Sequence, residues 1–583
     1  MDTLLLMLVC FGGYLLAYHT YGRFLARRIF KLVPDATVPS RALEDGIDYV
    51  PTKRGVIFGH HFTSIAGTGP IVGPAIGIIW GWLPAILWIV LGSIFMGAVH
   101  DFGALIVSMR NEGKSISEIA AKYINGRVRF IFFALVFLSL LIVIAIFGLV
   151  IAVVFALFPE SVLPVWLEIP IAMILGVAVY KKKARILPAT IIAVVVMYVT
   201  VGLGAYIEHA HPGRFLLPDL GVLPATGLWT IILLAYAWVA STLPVTTLLQ
   251  PRDYINAWQL FVAMALLIVG VCVASFQGLL PMAAPAINRQ LPADVPSLWP
   301  FMFITIACGA ISGFHSLVAS GTSAKQVANE EDSLIVGYGS MLTEGALAVL
   351  VIICVGAGIA MATGESGPSG SSAWHQHYAS WSGVKGLESK LNAFIGGAAN
   401  IIDTLGFPRF LGTAVMGVFV ASFAGTTLDT SVRLQRYVVA ELASDLRLPF
   451  LTNRWTATTF AVLTAAVLAF ATGANGAGAM TLWPLFGAAN QTLAALALLV
   501  TTLYLRKQEG LKYLVTGIPC VIMLVITNYA MVLNQIGFMR AEDPNRLLIT
   551  LGAVIFGLAL WMTFEAFSVF FRGTGHMPRI ARA

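Results

Sequence analysis

The sequence predicts an all-α polytopic membrane protein, and three observations carry the prediction. Hydrophobic residues make up 58% of the 583 residues and charged residues only 11%, where a soluble chain of this size carries about 25% charge. Apolar runs of about twenty residues, the length an α-helix needs to cross the hydrocarbon core, recur along the chain, and the mean hydropathy is +0.87. The alternation over about ten residues that marks a transmembrane barrel strand is missing, which argues against a β-barrel.

Fifteen candidate spans follow in order, at 4–30, 56–79, 82–109, 128–158, 164–180, 186–207, 229–248, 256–276, 300–322, 335–362, 408–430, 455–472, 478–504, 513–533 and 547–571. The first, from Leu4 to Tyr18, follows an aspartate and precedes Arg23, Arg27, Arg28 and Lys31. That is the reverse of a secretory signal, so it reads as a retained helix. The span at 164–180 is short, and 408–430 follows an expected surface helix at 391–405. With the N-terminus outside, alternate loops and helix ends hold all but seven of the 35 Lys and Arg residues. The seven are Arg214, Arg289, Lys385, Lys390, Arg409, Arg540 and Arg546. This is the positive-inside pattern, and it places the C-terminus inside with Arg572, Arg579 and Arg582. The net charge of +7 is thus a matter of topology, and no nucleic-acid partner is implied. Cys10, Cys272, Cys308, Cys354 and Cys520 are scattered singly, giving neither a disulfide framework nor a CxxC metal site.

Two spans are poor helices. The second is interrupted at Ser64-Ile65-Ala66-Gly67-Thr68-Gly69, followed by Pro70 and Pro74. Prolines donate no backbone hydrogen bond and glycines accept unusual dihedrals. Backbone groups freed in hydrocarbon cost several kcal/mol each unless protein, water or a ligand satisfies them. The alternative is a packed proline kink. The seventh span contains Ala240-Ser241-Thr242-Leu243-Pro244-Val245-Thr246-Thr247. The two interruptions lie five spans apart, an odd number, so a second five-helix unit would be inverted relative to the first. Paired breaks in inverted units point to the binding site of a secondary transporter. The expected fold is a LeuT-like 5+5 inverted-repeat core. Residues 1–55 form an extra N-terminal helix and cytoplasmic loop, 56–207 the first repeat, 229–430 the second, and 455–583 about four extra C-terminal helices, a scaffold or oligomer contact. Substrate would bind at residues 64–69 with Ser241, Thr242 and Thr246.

Ionisable groups inside spans are candidates for function. His100 and Asp101 stand together in the third span, within reach of His60 or His61 on the second. His315 lies in the ninth, where Ser312, Ser316 and Ser320 recur at i, i+4 as a hydroxyl stripe that could ligate sodium or glue helices. Glu344 lies in the tenth. Histidine and carboxylate are the usual parts of a proton relay, so these residues are the candidates for ion coupling, with H⁺ expected and Na⁺ the alternative. Asp429 is read as a helix-end partner of Arg433 and Arg436, Asn490 and Gln491 as bonds between helices, and Glu565 as isolated. A metal on His60, His61, His100 and Asp101, or on His375 and His377, is the weaker reading. Neither a Walker motif nor a GxGxxG loop occurs, so no cofactor and no ATP-driven step is expected.

The strings "RGVIFGHHFTSIAGTGPIVGPAIG", "GAVHDFGAL", "TTLDTSVRLQRY" and "WPLFGAANQTLAALAL" resemble the carbon starvation protein A (CstA) family over about residues 1 to 530. The resemblance implies a bacterial inner-membrane transporter of the amino acid–polyamine–organocation superfamily. It implies uptake of pyruvate or short peptides by proton symport, and a small cytosolic companion protein; a homo-oligomer stays open. A small anion suits half-helix N-termini and hydroxyls, whereas a peptide also needs an acidic partner for its amine, so the choice stays open. A membrane metalloenzyme built on the His/Asp cluster, or a nutrient sensor with a transporter fold, are readings of other classes.

Overall fold

The computed structural model describes residues 2–361, 369–381, 386–508 and 510–571. Among them the chain is helical, with no β-sheet and one isolated bridge between Thr52 and Val327. The helices are α1 (Asp2–Ile29), α2 (Arg54–Ala66), α3 (Gly69–Trp80), α4 (Trp82–Met109), α5 (Ile116–Tyr123), α6 (Gly126–Leu157), α7 (Pro159–Lys181), α8 (Ile186–Ala210), α9 (Ala225–Thr242) and α10 (Leu249–Phe276). They continue with α11 (Leu298–Thr305), α12 (Gly313–Gly321), α13 (Glu330–Ala360), α14 (Leu387–Asp403), α15 (Arg409–Asp445), α16 (Arg454–Phe470), α17 (Ala477–Arg506), α18 (Leu514–Arg540) and α19 (Arg546–Phe571). Twelve of these are long and apolar enough to span a membrane, and α2 with α3 form one more span bent by 43°. The pair α11/α12 and the shorter α16 complete the fifteen expected from sequence. The protein is a multi-pass membrane protein.

Local chemistry sets the helix starts. Asn125 opens α6 by accepting hydrogen bonds from the amides of Arg127 and Val128, and Ser115 opens α5 by accepting from Glu118 N, both N-cap arrangements that satisfy donors the helix cannot. From there α6 runs 32 residues, apolar all round and mostly buried, as a helix in the middle of a bundle must be.

The packing falls into two matched series. The first is α2/α3, α4, α6, α9 and α10; the second is α11/α12, α13, α15, α16 and α17. Each broken helix packs on the last helix of its own series, α2 on α10 and α12 on α17. Each second half packs across to the other series, α3 on α13 and α12 on α4. The long helices α6 and α15 lie against each other, α9 and α16 flank them, and the short α5 and α14 sit at matching places. The broken helices run antiparallel: the start of α2 lies level with the end of α12 through the Thr52–Val327 bridge, while Trp80, ending α3, takes a hydrogen bond from Asn288 N and gives one to Pro296 O, before α11 begins.

This arrangement corrects three expectations. The Ala240–Thr247 stretch is not a break inside a span: α9 ends at Thr242 and α10 starts at Leu249, so it is the turn between two helices. The second break lies in the ninth span, where α11 ends at Thr305 and Ser312 is extended, with φ −137° and ψ 131°. Consequently α7 and α8, expected inside the first repeat, form a hairpin outside both series, with Ile174, Ile191, Ile192, Val195 and Val199 exposed as lipid-facing residues are. The C-terminal helices are also more than an appendage, since α17 is buried and packs on α4 and α12.

Glu565 is not isolated: it accepts from Asn125 Nδ2 at 2.9 Å, tying α19 to the start of α6. The cysteines are all free, Cys10, Cys354 and Cys520 being buried. Lys385, Arg572, Arg579 and Arg582 lie outside the described residues.

Candidate transport site

The two breaks touch. Gly67 ends α2 with φ +43° and ψ −146°, a conformation open to glycine, and a Cβ there would lie 2.5 Å from Thr427 Oγ1 and 3.1 Å from Phe147. A Cβ on Gly69 would meet the thiol of Cys308, in the second break. The C-terminal ends of α2 and α11 and the N-terminal ends of α3 and α12 therefore converge, bringing both signs of helix-end charge to one place. Around the first break, Ser64 Oγ lies 3.2 Å from Thr430 Oγ1, and Thr427 Oγ1 donates to Ser64 O at 3.4 Å. Ile65, Ala66 and Thr68 are buried beside them.

The second break is held by α17. Asn490 Oδ1 accepts from Phe314 N at 2.9 Å, Asn490 Nδ2 donates to Ser312 Oγ at 3.0 Å, and Gln491 Nε2 donates to Phe303 O at 2.6 Å. The expected bonds between helices are there, and they satisfy backbone freed by the break. Asn490→Ala orphans a buried N–H and a hydroxyl, so we expect a loss of about 1–3 kcal/mol per group, read as a lower Tm in detergent. An unchanged Tm removes this role.

Four predicted residues form one chain of contacts behind α12. Asp101 Oδ1 lies 2.7 Å from His100 Nδ1, and Asp101 Oδ2 lies 2.9 Å from His315 Nδ1. His315 Nε2 is 3.3 Å from Glu344 Oε2. All four side chains are buried. An ionised Asp101 only accepts, so both Nδ1 atoms carry protons and His315 Nε2 is left to share one with Glu344. That imidazole, on the half-helix that follows the break, is a seat for a transferable proton. Adjacent residues on a helix point about 100° apart, yet His100 and Asp101 do bond each other, because Asp101 sits between two imidazoles.

Other predicted residues lie elsewhere. His61 Nδ1 meets Ser323 Oγ at 2.8 Å, and His60 Nδ1 meets Asp253 Oδ2 at 2.5 Å. Neither reaches His100 or Asp101, so the four-residue metal set does not converge. The donor atoms that do converge are those of Cys308, His315 and Glu344, all within 4.8 Å of one another. The serine stripe is broken too: Ser312 precedes α12, and Ser316 and Ser320 donate to Gly313 O and Ser316 O. Ser241 donates to Asp429 O and Thr242 to Val239 O, so with Thr246 they belong to the α9–α10 turn and not to the break.

Sequence reasoning missed Glu168, Arg252 and Asp253. Asp429 does not pair with Arg433 or Arg436; it pairs with Arg252 and accepts from Tyr236 Oη at 3.0 Å. The available signal was the charged pair in "QPRDY", which the assumed span limits left in a loop. Arg433 and Arg436 instead hold Asp48, at 2.7 and 3.2 Å, in the strap that precedes α2. The strap is also tied by Val245 N to Ile47 O and by Thr52 N to Gln326 O. Burial works to raise the Asp48 pKa, but the two guanidinium groups outweigh it and hold the carboxyl below the usual range. A depressed carboxyl stabilises fully above its unfolded pKa and loses that contribution as pH falls through the lowered value. Hydrogen exchange over residues 45–53 is therefore expected to stay slow through neutral and mildly acidic pH and quicken only below the ordinary carboxylate range. Quickening near neutrality contradicts this.

Broken helices that meet over buried ionisable groups are the build of a membrane transporter. The sequence comparisons give the family: the model described as Carbon starvation protein CstA matches residues 2–367 and 372–530, and the chain belongs to that family. It is 33% identical to the peptide transporter CstA of Campylobacter jejuni, over 92% of this chain and 80% of the relative. It is 32% identical to the pyruvate/proton symporter BtsT of Escherichia coli, over 89% of this chain and 80% of the relative. Among solved structures, a manganese transporter of Eremococcus coleocola aligns with a TM-score of 0.49 at 12% identity, covering 90% of this chain and 99% of that one. MhsT in complex with L-phenylalanine aligns at 0.46 and 13%, covering 82% and 98%. The protein is a transporter, not an enzyme.

Proposed function

We propose that the protein is a secondary active importer of a small carboxylate-bearing nutrient, pyruvate or a short peptide, across the bacterial inner membrane, with its N-terminus outside and protons as the coupling ion. The observation that carries this is the Asp101–His315–Glu344 chain on the half-helix that follows the second break. A proton taken or lost there changes the charge beside the convergent helix ends, and so links protonation to the state of the breaks. The positive ends of α3 and α12 suit a carboxylate, and alternating access would rock the broken helices against α6 and α15. The names of the relatives support both substrates and, for one relative, the proton.

Uptake of labelled pyruvate and of a labelled dipeptide into proteoliposomes, under an imposed proton gradient and then a sodium gradient, tests the reading. Proton-driven uptake of one substrate is expected. A second coupling reading has its own observation: the carbonyl of Ser64 and the hydroxyls of Ser64, Thr427 and Thr430 converge at the first break, an all-oxygen set that suits Na⁺. Uptake driven by sodium alone would select it, and uptake of neither substrate from folded, inserted protein would overturn the substrate class.

A further inference from the structure

A second buried ionic cluster shares no residue with the first. Arg252 of α10 pairs with Asp429 of α15, reaches Asp253 Oδ1 at 3.4 Å and stands 3.9 Å from Glu168 Oε1 of α7. His60 of α2 bonds Asp253, and Tyr236 of α9 bonds Asp429. From the segment after α12 the neutral Gln326 reaches His60 Nε2 at 3.2 Å. The facing groups are thus three carboxyls, one guanidinium, one imidazole and one phenol, and His60, Glu168, Arg252, Asp253 and Asp429 are each at most 4% exposed.

Charge counting in this dry site leads to protons. Arg252 stays protonated in any setting. With His60 cationic, three carboxylates against two cations leave one negative charge, so one carboxyl must be protonated. With His60 neutral, two must be. Either way, neutrality requires two exchangeable protons in the cluster, and a net charge left buried costs several kcal/mol. Asp253 and Asp429 are engaged by His60, Arg252 and Tyr236. Glu168 is the looser carboxyl: Ser422 Oγ donates to its Oε2 at 2.8 Å, while its Oε1 and Arg252 Nε make no hydrogen bond. Glu168, Arg252, Tyr236 and Ser422 line a cavity of about 30 Å³ with Ile151 of α6, room for a water molecule with several polar partners.

We propose that this cluster is a second proton-binding site, separate from the Asp101–His315–Glu344 seat, in which Glu168 gains and loses its proton through the water-sized cavity. The proton moves between the Glu168 carboxyl and the cavity, and Arg252 stabilises the carboxylate left behind. The proposal does not depend on the substrate.

Infrared difference spectroscopy of the full-length protein in lipid, stepped from acidic to alkaline pH, reads protonated carboxyls directly through their carbonyl stretch. Glu168→Gln is expected to lose one such band and Glu344→Gln a different one, each variant keeping the other's. Ser422→Ala, which removes the hydrogen bond to the carboxyl and leaves the charges in place, is expected to shift the Glu168 band. A Glu168→Gln spectrum that loses no band overturns the proposal and makes the cluster a permanent ion pair. Where Glu168→Gln does not fold, an unshifted band in Ser422→Ala does the same. Loss of the Glu168 band with no band assignable to Glu344 would instead remove the first proton seat and leave the second standing.

Discussion

Asp101→Asn is expected to abolish gradient-driven accumulation while leaving folded protein and substrate exchange without a gradient. The carboxylate accepts from two imidazoles, His100 at 2.7 Å and His315 at 2.9 Å. An amide keeps one acceptor oxygen and presents an NH₂ donor where the second imidazole already donates, so one histidine must change tautomer or lose its partner. Hydrogen bonds to a charged group contribute about 1.5–3 kcal/mol each, and the negative charge that would hold His315 as a cation is gone. A fall of about 100-fold in proton-driven uptake corresponds to roughly 2.7 kcal/mol, within that range. Exchange of labelled for unlabelled substrate across equal pH needs the breaks and not the proton seat, so it should survive. Uptake that still follows an imposed pH gradient in this variant removes Asp101 from coupling.

The second large effect is expected at Gly67→Ala, where two costs coincide. The backbone at φ +43° and ψ −146° is one that side chains rarely adopt, at about 1–3 kcal/mol. The added methyl also lands on Thr427 Oγ1 and close to the Phe147 ring, in a bundle whose interior is packed without slack. The variant should lose transport of every substrate under every gradient and melt at a lower temperature. Adding Thr427→Ala relieves the contact but not the dihedral, so the double variant should recover part of the Tm. Wild-type transport by Gly67→Ala would mean that the break does not need this geometry.

Much of the fold was legible because membrane helices advertise themselves. Run length and loop charge report each crossing locally, and the fifteen spans correspond to helices. The first break was legible for the same reason: Gly67, Gly69, Pro70 and Pro74 cannot be reconciled with an uninterrupted helix in lipid. The second was not, because Cys308-Gly309-Ala310-Ile311-Ser312-Gly313 contains no proline and passes for small-residue helix packing. Pro244 among serine and threonine misled in the opposite direction, since a turn at the membrane surface and a break at mid-depth use the same residues and differ only in depth. Long-range pairing was the other gap. His315 and Glu344 could be singled out as buried ionisable residues, but 214 positions separate His315 from Asp101, and no periodicity links them. Arg252 and Asp253 escaped because an assumed helix end placed them in a loop, whereas α10 begins at Leu249 and buries both.

The burial of α17 has a consequence for how the protein is made. Its residues are synthesised after nearly five hundred others, at positions 477–506, yet they fill the seat against α4 and α12 and supply Asn490 to the Phe314 amide. Until that segment leaves the ribosome, the interrupted backbone around Ser312 has no protein partner for its polar groups. Biogenesis therefore cannot proceed by closing the first series and adding the rest as decoration. The nascent chain must wait in the bilayer with an open seam, and a chain ended before α17 is a substrate for membrane quality control, not a smaller transporter.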